Sequence, residues 1–313
     1  MDKKKLLYRV TVLFLLVFLV GSIYYTPYTE RIIVIEPGMN AKEIAFMLRE
    51  EQLIKSPYLF LTYTRFKRLA NRLRPGCYDL NTDMSFGDML TKLSEGETYG
   101  VKVIIPEGYS SVQIAALLSV KKLVNREQFL KVVRQKGLEG YLYPATYAIL
   151  PGTRAEAVAQ MMVEKFNSVF NEKLLAQCEA LNLNQRQVLT MASIIEKEAK
   201  RSEEKPEVAA VFYNRLKKKW LLESCATVQY ALGKTKVGLS LGDLKTRSLY
   251  NTYLHPGLPP GPICNPGLAS IKAALYPGNS DNMFFIAKGD GTHKFSRYYR
   301  DHLKEKQQLK KKS

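Results

Sequence analysis

Two stretches of the chain, IVIEPGMNAKEIAFML at residues 33–48 and VIIPEGYSSVQIAALL at residues 103–118, follow one pattern. Each opens on a β-branched run and bends at a glycine, Gly38 or Gly108. Each then offers a polar cap, Asn40 or one of Ser110 and Ser111, and continues as an amphipathic helix. A shift of 70 places Ile44 on Ile114, Ala45 on Ala115 and Leu48 on Leu118, and it persists through Leu53 on Leu123 and Phe60 on Leu130. Strand–turn–helix modules of this kind predict an α+β chain. The first module belongs to a small domain over 30–100, whose last helix ends near Leu93 and is closed by Gly96. The second, over 101–140, leads into a larger α+β domain over 141–304, followed by a basic tail over 305–313.

Towards the N-terminus, Lys3, Lys4, Lys5 and Arg9 precede an apolar run from Val10 to Ile23, and Tyr24, Tyr25 and Tyr28 follow. Counted over 6–25 the stretch is about 20 residues, what a bilayer core requires. The residues Gly21-Ser22-Ile23-Tyr24-Tyr25 offer no small-residue cleavage site, so a retained anchor is expected rather than a signal peptide. The positive flank puts a stub, residues 1–5, in the cytoplasm and the rest outside it.

Lys plus Arg number 47 against 29 Asp plus Glu, a formal charge of +18. Such an excess suits a polyanionic neighbour, an anionic membrane face or an acidic wall polymer. Neither finger spacing nor an aromatic RNA-binding signature is present, which argues against nucleic acid. Cys77, Cys178, Cys225 and Cys264 are widely and irregularly spaced, and as residues they could pair or stay free. His255, His293 and His302 have no zinc-type spacing, so no metal site is expected. The absence of G-x-S-x-G, of a P-loop and of a dinucleotide fingerprint disfavours nucleophilic and nucleotide chemistry.

Residues 185–200, QRQVLTMASIIEKEAK, predict a helix whose apolar face holds Val188, Met191, Ala192, Ile195 and Ala199. Glu196 and Glu198 flank that face, each about 70–90° from its centre on the wheel, while Lys197 points away. A carboxyl at the edge of an apolar face has a raised pKa and suits a general acid near neutral pH. Helix-local pairs, Glu196 with Lys200 and Glu198 with Arg201, are the plain structural alternative. The pattern by itself does not choose between the two glutamates. Downstream, Tyr250-Asn251-Thr252-Tyr253 leads into a stiff Pro- and Gly-rich loop over 255–263, a suitable wall for a polar, ring-shaped ligand.

Six motifs in order carry a resemblance: ASIIEKE (192–198), VFYNRL (211–216), ATVQYAL (226–232), YNTY with GLPPGPI (250–263), NPG (265–267) and GTHKFS (291–296). Together they resemble the MltG/YceG-like family of membrane-anchored endolytic peptidoglycan transglycosylases, over roughly residues 30–304. The resemblance implies a transmembrane helix, a small LysM-like strand–helix domain and a larger α+β catalytic domain outside the cell membrane. It implies cleavage of the MurNAc–GlcNAc β-1,4 bond to a 1,6-anhydro end, with Glu196 as the catalytic acid and no cofactor. Asn214, Gln229, Tyr250, Asn251, Thr252 and Glu198 match motif positions that bind the glycan. The partners implied are peptidoglycan glycan strands, the membrane and peptidoglycan synthases. The chain departs from the family pattern at Cys225-Ala226, where an Asp-Pro pair is usual, and at Ala145, where an Asp is usual.

Two other classes fit the residues: a non-catalytic wall-binding scaffold, and a muramidase that uses water. The environment of Glu196 discriminates. An enzyme wants it partly buried without a strong cationic partner; a scaffold leaves it exposed and paired with Lys200.

Overall fold

The structure is a computed structural model that describes residues 27–312 except 37, 97, 98, 151, 235 and 237, with side chains to 309. The expected anchor over 6–25 and its cytoplasmic stub lie outside the described residues. Among those described, no helix is long and apolar enough to cross a membrane. The described residues divide into two compact units, one ending at Val101 and one beginning at Lys102. Both combine helices with two-stranded sheets, an α+β architecture.

In the first unit, strand β1 (Glu30–Ile35) runs antiparallel to β2 (Gly76–Asn81), with Glu30 opposite Asn81 and Ile35 opposite Gly76. Alternation buries Ile33 and Ile35 and leaves Ile32 and Val34 in solvent. Helices α1 (Ala41–Glu50), α2 (Pro57–Phe66) and α3 (Phe86–Glu95) complete the unit. Reciprocal capping boxes, Asn40 with Glu43 and Ser85 with Asp88, start α1 and α3, and Pro57 fills the first position of α2. Ile44, Leu48, Phe60, Tyr78 and Leu93 are fully buried in its core.

The larger unit opens with the same order of elements: β3 (Val101–Ile104), α4 (Ser111–Val120), α5 (Arg126–Lys136), β4 (Thr146–Ile149) and α6 (Ala155–Val169). β3 pairs with β4 as β1 pairs with β2. The correspondence reaches individual residues. Gly38 and Gly108 both take positive φ, +95° and +75°. Asn40 and Ser110 both close capping boxes. The Leu53 and Leu123 N–H groups return to the carbonyls of Leu48 and Leu118 at 2.9 and 3.0 Å. The repeat thus extends through the second strand and third helix, beyond the point where its sequence signal fades, and the second copy belongs to the larger unit.

The rest of that unit is helical: α7 (Glu172–Ala180), α8 (Gln185–Glu198), α9 (Lys205–Lys217), α10 (Cys225–Leu232) and α11 (Leu268–Leu275). A hairpin of β5 (Phe284–Ala287) and β6 (His293–Ser296) and a last helix α12 (Tyr299–Lys312) follow. The pattern predicted one buried face on α8, yet every side chain from Val188 to Ile195 is buried. The reason is packing: α7, α9, α10 and α11 all lie against it. Its polar members are satisfied within the helix, the Thr190 hydroxyl donating to the Arg186 carbonyl and that of Ser193 to the Thr190 carbonyl. All four cysteines are free, and Cys178 and Cys264 are buried.

Candidate active site

Glu196 and Glu198 sit in the last turn of α8, where unpaired carbonyls disfavour negative charge. The helix stops at Glu198 because Ala199 turns extended, with φ −105° and ψ 116°. The i+4 spacing to Lys200 therefore no longer applies, and the partner of Glu196 is Lys205 instead. Its ammonium donates to both carboxylate oxygens at 3.2 and 3.3 Å, the two side chains being 4% and 9% exposed. The backbone N–H of Gly267 and the hydroxyl of Ser270 add bonds of 3.1 and 2.6 Å to Oε2. Gly267 is the N-cap of α11 and Ser270 lies in its first turn, so the carboxylate also meets the positive end of a helix. Lys205, Gly267 and Ser270 thus engage both oxygens of Glu196 within the protein.

Glu198 is half-buried and differently supported. Its Oε1 accepts a 2.6 Å hydrogen bond from the neutral hydroxyl of Ser224. Burial raises its pKa above the ordinary carboxylate value; Ser224, His293, the Ala226 N–H and Arg215 pull it down without cancelling the rise. Ser224 is itself fixed. Its N–H donates to Thr252 Oγ1 at 3.0 Å and its carbonyl accepts from the Thr227 hydroxyl at 2.8 Å. The two threonine hydroxyls are 2.9 Å apart.

The other residues expected to line a glycan cleft divide. Asn251 and Thr252, at 0% and 1% exposure, are interior groups and do not line a surface. The Asn251 amide donates to the Leu244 and Thr246 carbonyls at 2.9 Å, and Thr252 holds Ser224. Loop backbone lacks ladder partners, so side-chain amides and hydroxyls supply them from within. Asn214, half-buried, donates to the carbonyls of Ser280 and Asn282. Gln229, also half-buried, donates to the Lys236 carbonyl at 3.2 Å. Half-buried Tyr250 stacks at a tilt on Tyr230, ring centres 4.8 Å apart.

Several site residues escaped the sequence reading. Lys205 and Ser224 carry no motif signal of their own. Asn265 and Gly267 lie in the quoted NPG, but the carboxylate-binding N–H of Gly267 is a backbone group with no side-chain signature. Asn265 is a buried hub: its Oδ1 accepts from the N–H groups of Gly140 and Leu142, and its amide donates to the Tyr109 carbonyl and to Glu139. Its carbonyl accepts from the Gly108 N–H at 2.9 Å, which brings the turn of the second repeat beside Glu196. Burial raises the pKa of Glu139, against hydrogen bonds from the Ser111 hydroxyl and N–H. His293 opens β6 and is clamped by Glu204, which accepts from its backbone N–H at 3.0 Å and meets Nδ1 at 2.7 Å. Among the described residues no cluster of His, Cys, Asp or Glu is placed to hold a metal ion.

The α+β scaffold thus carries a repeated strand–helix module and, at the end of one buried helix, two carboxyls in unlike surroundings. The YceG-like family model matches residues 33–308, and the chain belongs to the YceG-like family. The endolytic murein transglycosylase of Bacillus subtilis is 35% identical over 300 residues, covering 87% of this chain and 83% of that protein. That of Streptococcus pneumoniae serotype 2 is 31% identical over 81% of this chain, which spans 53% of the longer pneumococcal protein. A crystal structure of a yceG-like protein from Listeria monocytogenes matches with a TM-score of 0.57 at 33% identity, over 89% of this chain and 99% of that one. The family resemblance seen in the motifs is thereby borne out.

Proposed function

We infer that the protein is an endolytic lytic transglycosylase that cuts the MurNAc–GlcNAc β-1,4 bond of peptidoglycan strands and leaves 1,6-anhydroMurNAc ends. The names of its relatives support the substrate class and the reaction. The environment of Glu198 supports the chemistry and carries the reading.

A lytic cut needs one group that gives a proton to the glycosidic oxygen and then takes one from the MurNAc C6 hydroxyl as it closes on C1. The nucleophile belongs to the substrate, so its effective concentration is high and no second carboxylate is needed to activate water. The donor must be protonated at the outset. Glu198, raised by burial and oriented by a neutral hydroxyl, meets that need. Glu196 is instead tied to the buried Lys205 ammonium, a backbone N–H and a hydroxyl, which keeps its oxygens engaged within the protein. The catalytic role that the resemblance gives to Glu196 accordingly passes to Glu198 in this proposal, with Glu196 binding α8, α9 and α11 together. Asn214, Gln229 and Tyr250 are the glycan-contacting candidates that keep exposed surface.

The first unit is proposed as the LysM-like glycan holder. A cavity of about 580 Å³ between its β1–α1 turn and the end of α2 is lined by Gly38, Asn40, Lys42, Arg65 and Asn71, among others. With an anchor at 6–25 the active unit lies outside the cytoplasmic membrane, where cutting nascent strands beside peptidoglycan synthases would end their elongation.

The test is mass analysis of products released from purified wall glycan. Anhydro ends, one water lighter than reducing ends, are expected from the parent. Glu198→Gln should lower the rate about 100- to 10,000-fold while circular dichroism stays unchanged. Reducing ends would make the protein a muramidase, and full activity of the folded Gln variant would remove Glu198 from the mechanism.

A further inference from the structure

The first unit segregates its charge. Residues 52–78 contain no Asp or Glu, while Lys55, Arg65, Lys67, Arg68, Arg72 and Arg74 fall within them. On α2, Tyr58, Leu59, Thr62, Arg65 and Phe66 recur at helical spacing and all point outward. The opposite side of the helix holds Phe60 and Thr64, which are buried. Phe66 is 79% exposed, Tyr58 67% and Leu59 64%. Arg65 on the helix and Lys67, Arg68 and Arg72 just after it are exposed as well. This stretch therefore combines large exposed apolar side chains with cations and contains no acid of its own.

We propose that this α2 face docks on the anionic surface of the membrane in which the chain is anchored. The inference rests on the reading of 6–25 as an anchor. That span ends five residues before β1, and an extended chain covers at most about 3.6 Å per residue, so the start of β1 stays within roughly 20 Å of the bilayer. An anionic interface accommodates both halves of the patch: phosphates meet the arginines and lysines, and Phe66, Leu59 and Tyr58 enter the headgroup–acyl boundary. A soluble anionic wall polymer would neutralise the cations but leave the apolar strip in water. Arg65 also borders the cavity proposed for glycan, so docking would hold that cavity close to the membrane, where a nascent strand emerges.

The experiment uses the full chain in nanodiscs of phosphatidylcholine with or without phosphatidylglycerol, both with brominated acyl chains. Phe66→Trp places a reporter on the patch, and the parent, whose single tryptophan is Trp220, supplies the background. Incorporation of the chain into nanodiscs checks the anchor independently. Expected is quenching above the parent level in the anionic discs, a smaller signal in pure phosphatidylcholine, and loss at high salt. Arg68→Gln and Arg72→Gln should each weaken the docked state about fivefold. Quenching no greater than the parent's in an incorporated chain overturns the proposal. So does quenching indifferent to lipid charge, or a signal abolished by a soluble anionic glycopolymer that takes the face for itself.

Discussion

Glu196 and Glu198 are two residues apart on one helix and opposite in character, and the difference lies in what each one touches. Glu196→Gln would leave the Lys205 ammonium buried without its counter-charge. The expected cost is about 3–5 kcal/mol, and Lys205→Met in the same chain should recover part of it. Urea unfolding of the single and double variants measures both. Glu198 behaves otherwise. Its folded pKa lies above the unfolded value of 4.5, so the folded state holds the proton more tightly. Its contribution to stability is complete below that value and is lost as pH rises through the folded pKa. Glu198→Gln removes this dependence, so its melting temperature should gain on the parent's as pH rises from acid to neutral. A constant difference across that range would mean that the carboxyl is not perturbed.

Between elements, the short hairpin of β5 and β6 is fastened to the entrance of α9 by one carboxylate. Burial works to raise the pKa of Glu204, but the His293 backbone N–H and ring outweigh it and leave it lowered. A lowered carboxylate contributes stability above its unfolded pKa and loses it as pH falls through the folded one. Protection factors of the amides over 284–296, with the intrinsic pH dependence of exchange removed, should therefore fall in acid, and Glu204→Gln should bring the same fall at neutral pH. If exchange there were indifferent to the substitution, Phe285 and Phe295, which pack against the helical core, would be holding the hairpin without help. The repeat is the other lesson at this scale. Its turn stands open at Gly38, with nothing near the position of a Cβ, but at Gly108 the same turn lies against Glu196 and Lys197. One local structure has thus become part of the site in its second copy.

At the scale of the whole molecule, each unit carries its own core, with one cluster in the first unit and two in the second among the described residues. Residues 27–101 expressed alone should give a cooperative urea transition, because their buried side chains pack on one another. A non-cooperative, broad transition would show that this unit depends on the larger one. The local start signals of the two repeated helices were legible in the sequence, since Asn40 and Ser110 act on N–H groups only two or three residues away. The burial of α8 on all sides was not legible, because its covering helices come from positions as distant as Leu268–Leu275.

The sequence alone determined the alternation of strands and helices, the family and the two candidate carboxyls, because propensity, capping and motif order act over short distances along the chain. Only the tertiary structure gave the two carboxyls different surroundings. Lys205, Gly267 and Ser270 reach Glu196, and Ser224 reaches Glu198, from elsewhere in the chain. The protonation of a side chain follows from which dipoles and charges folding gathers around it, and that gathering is not written in the residues next to it.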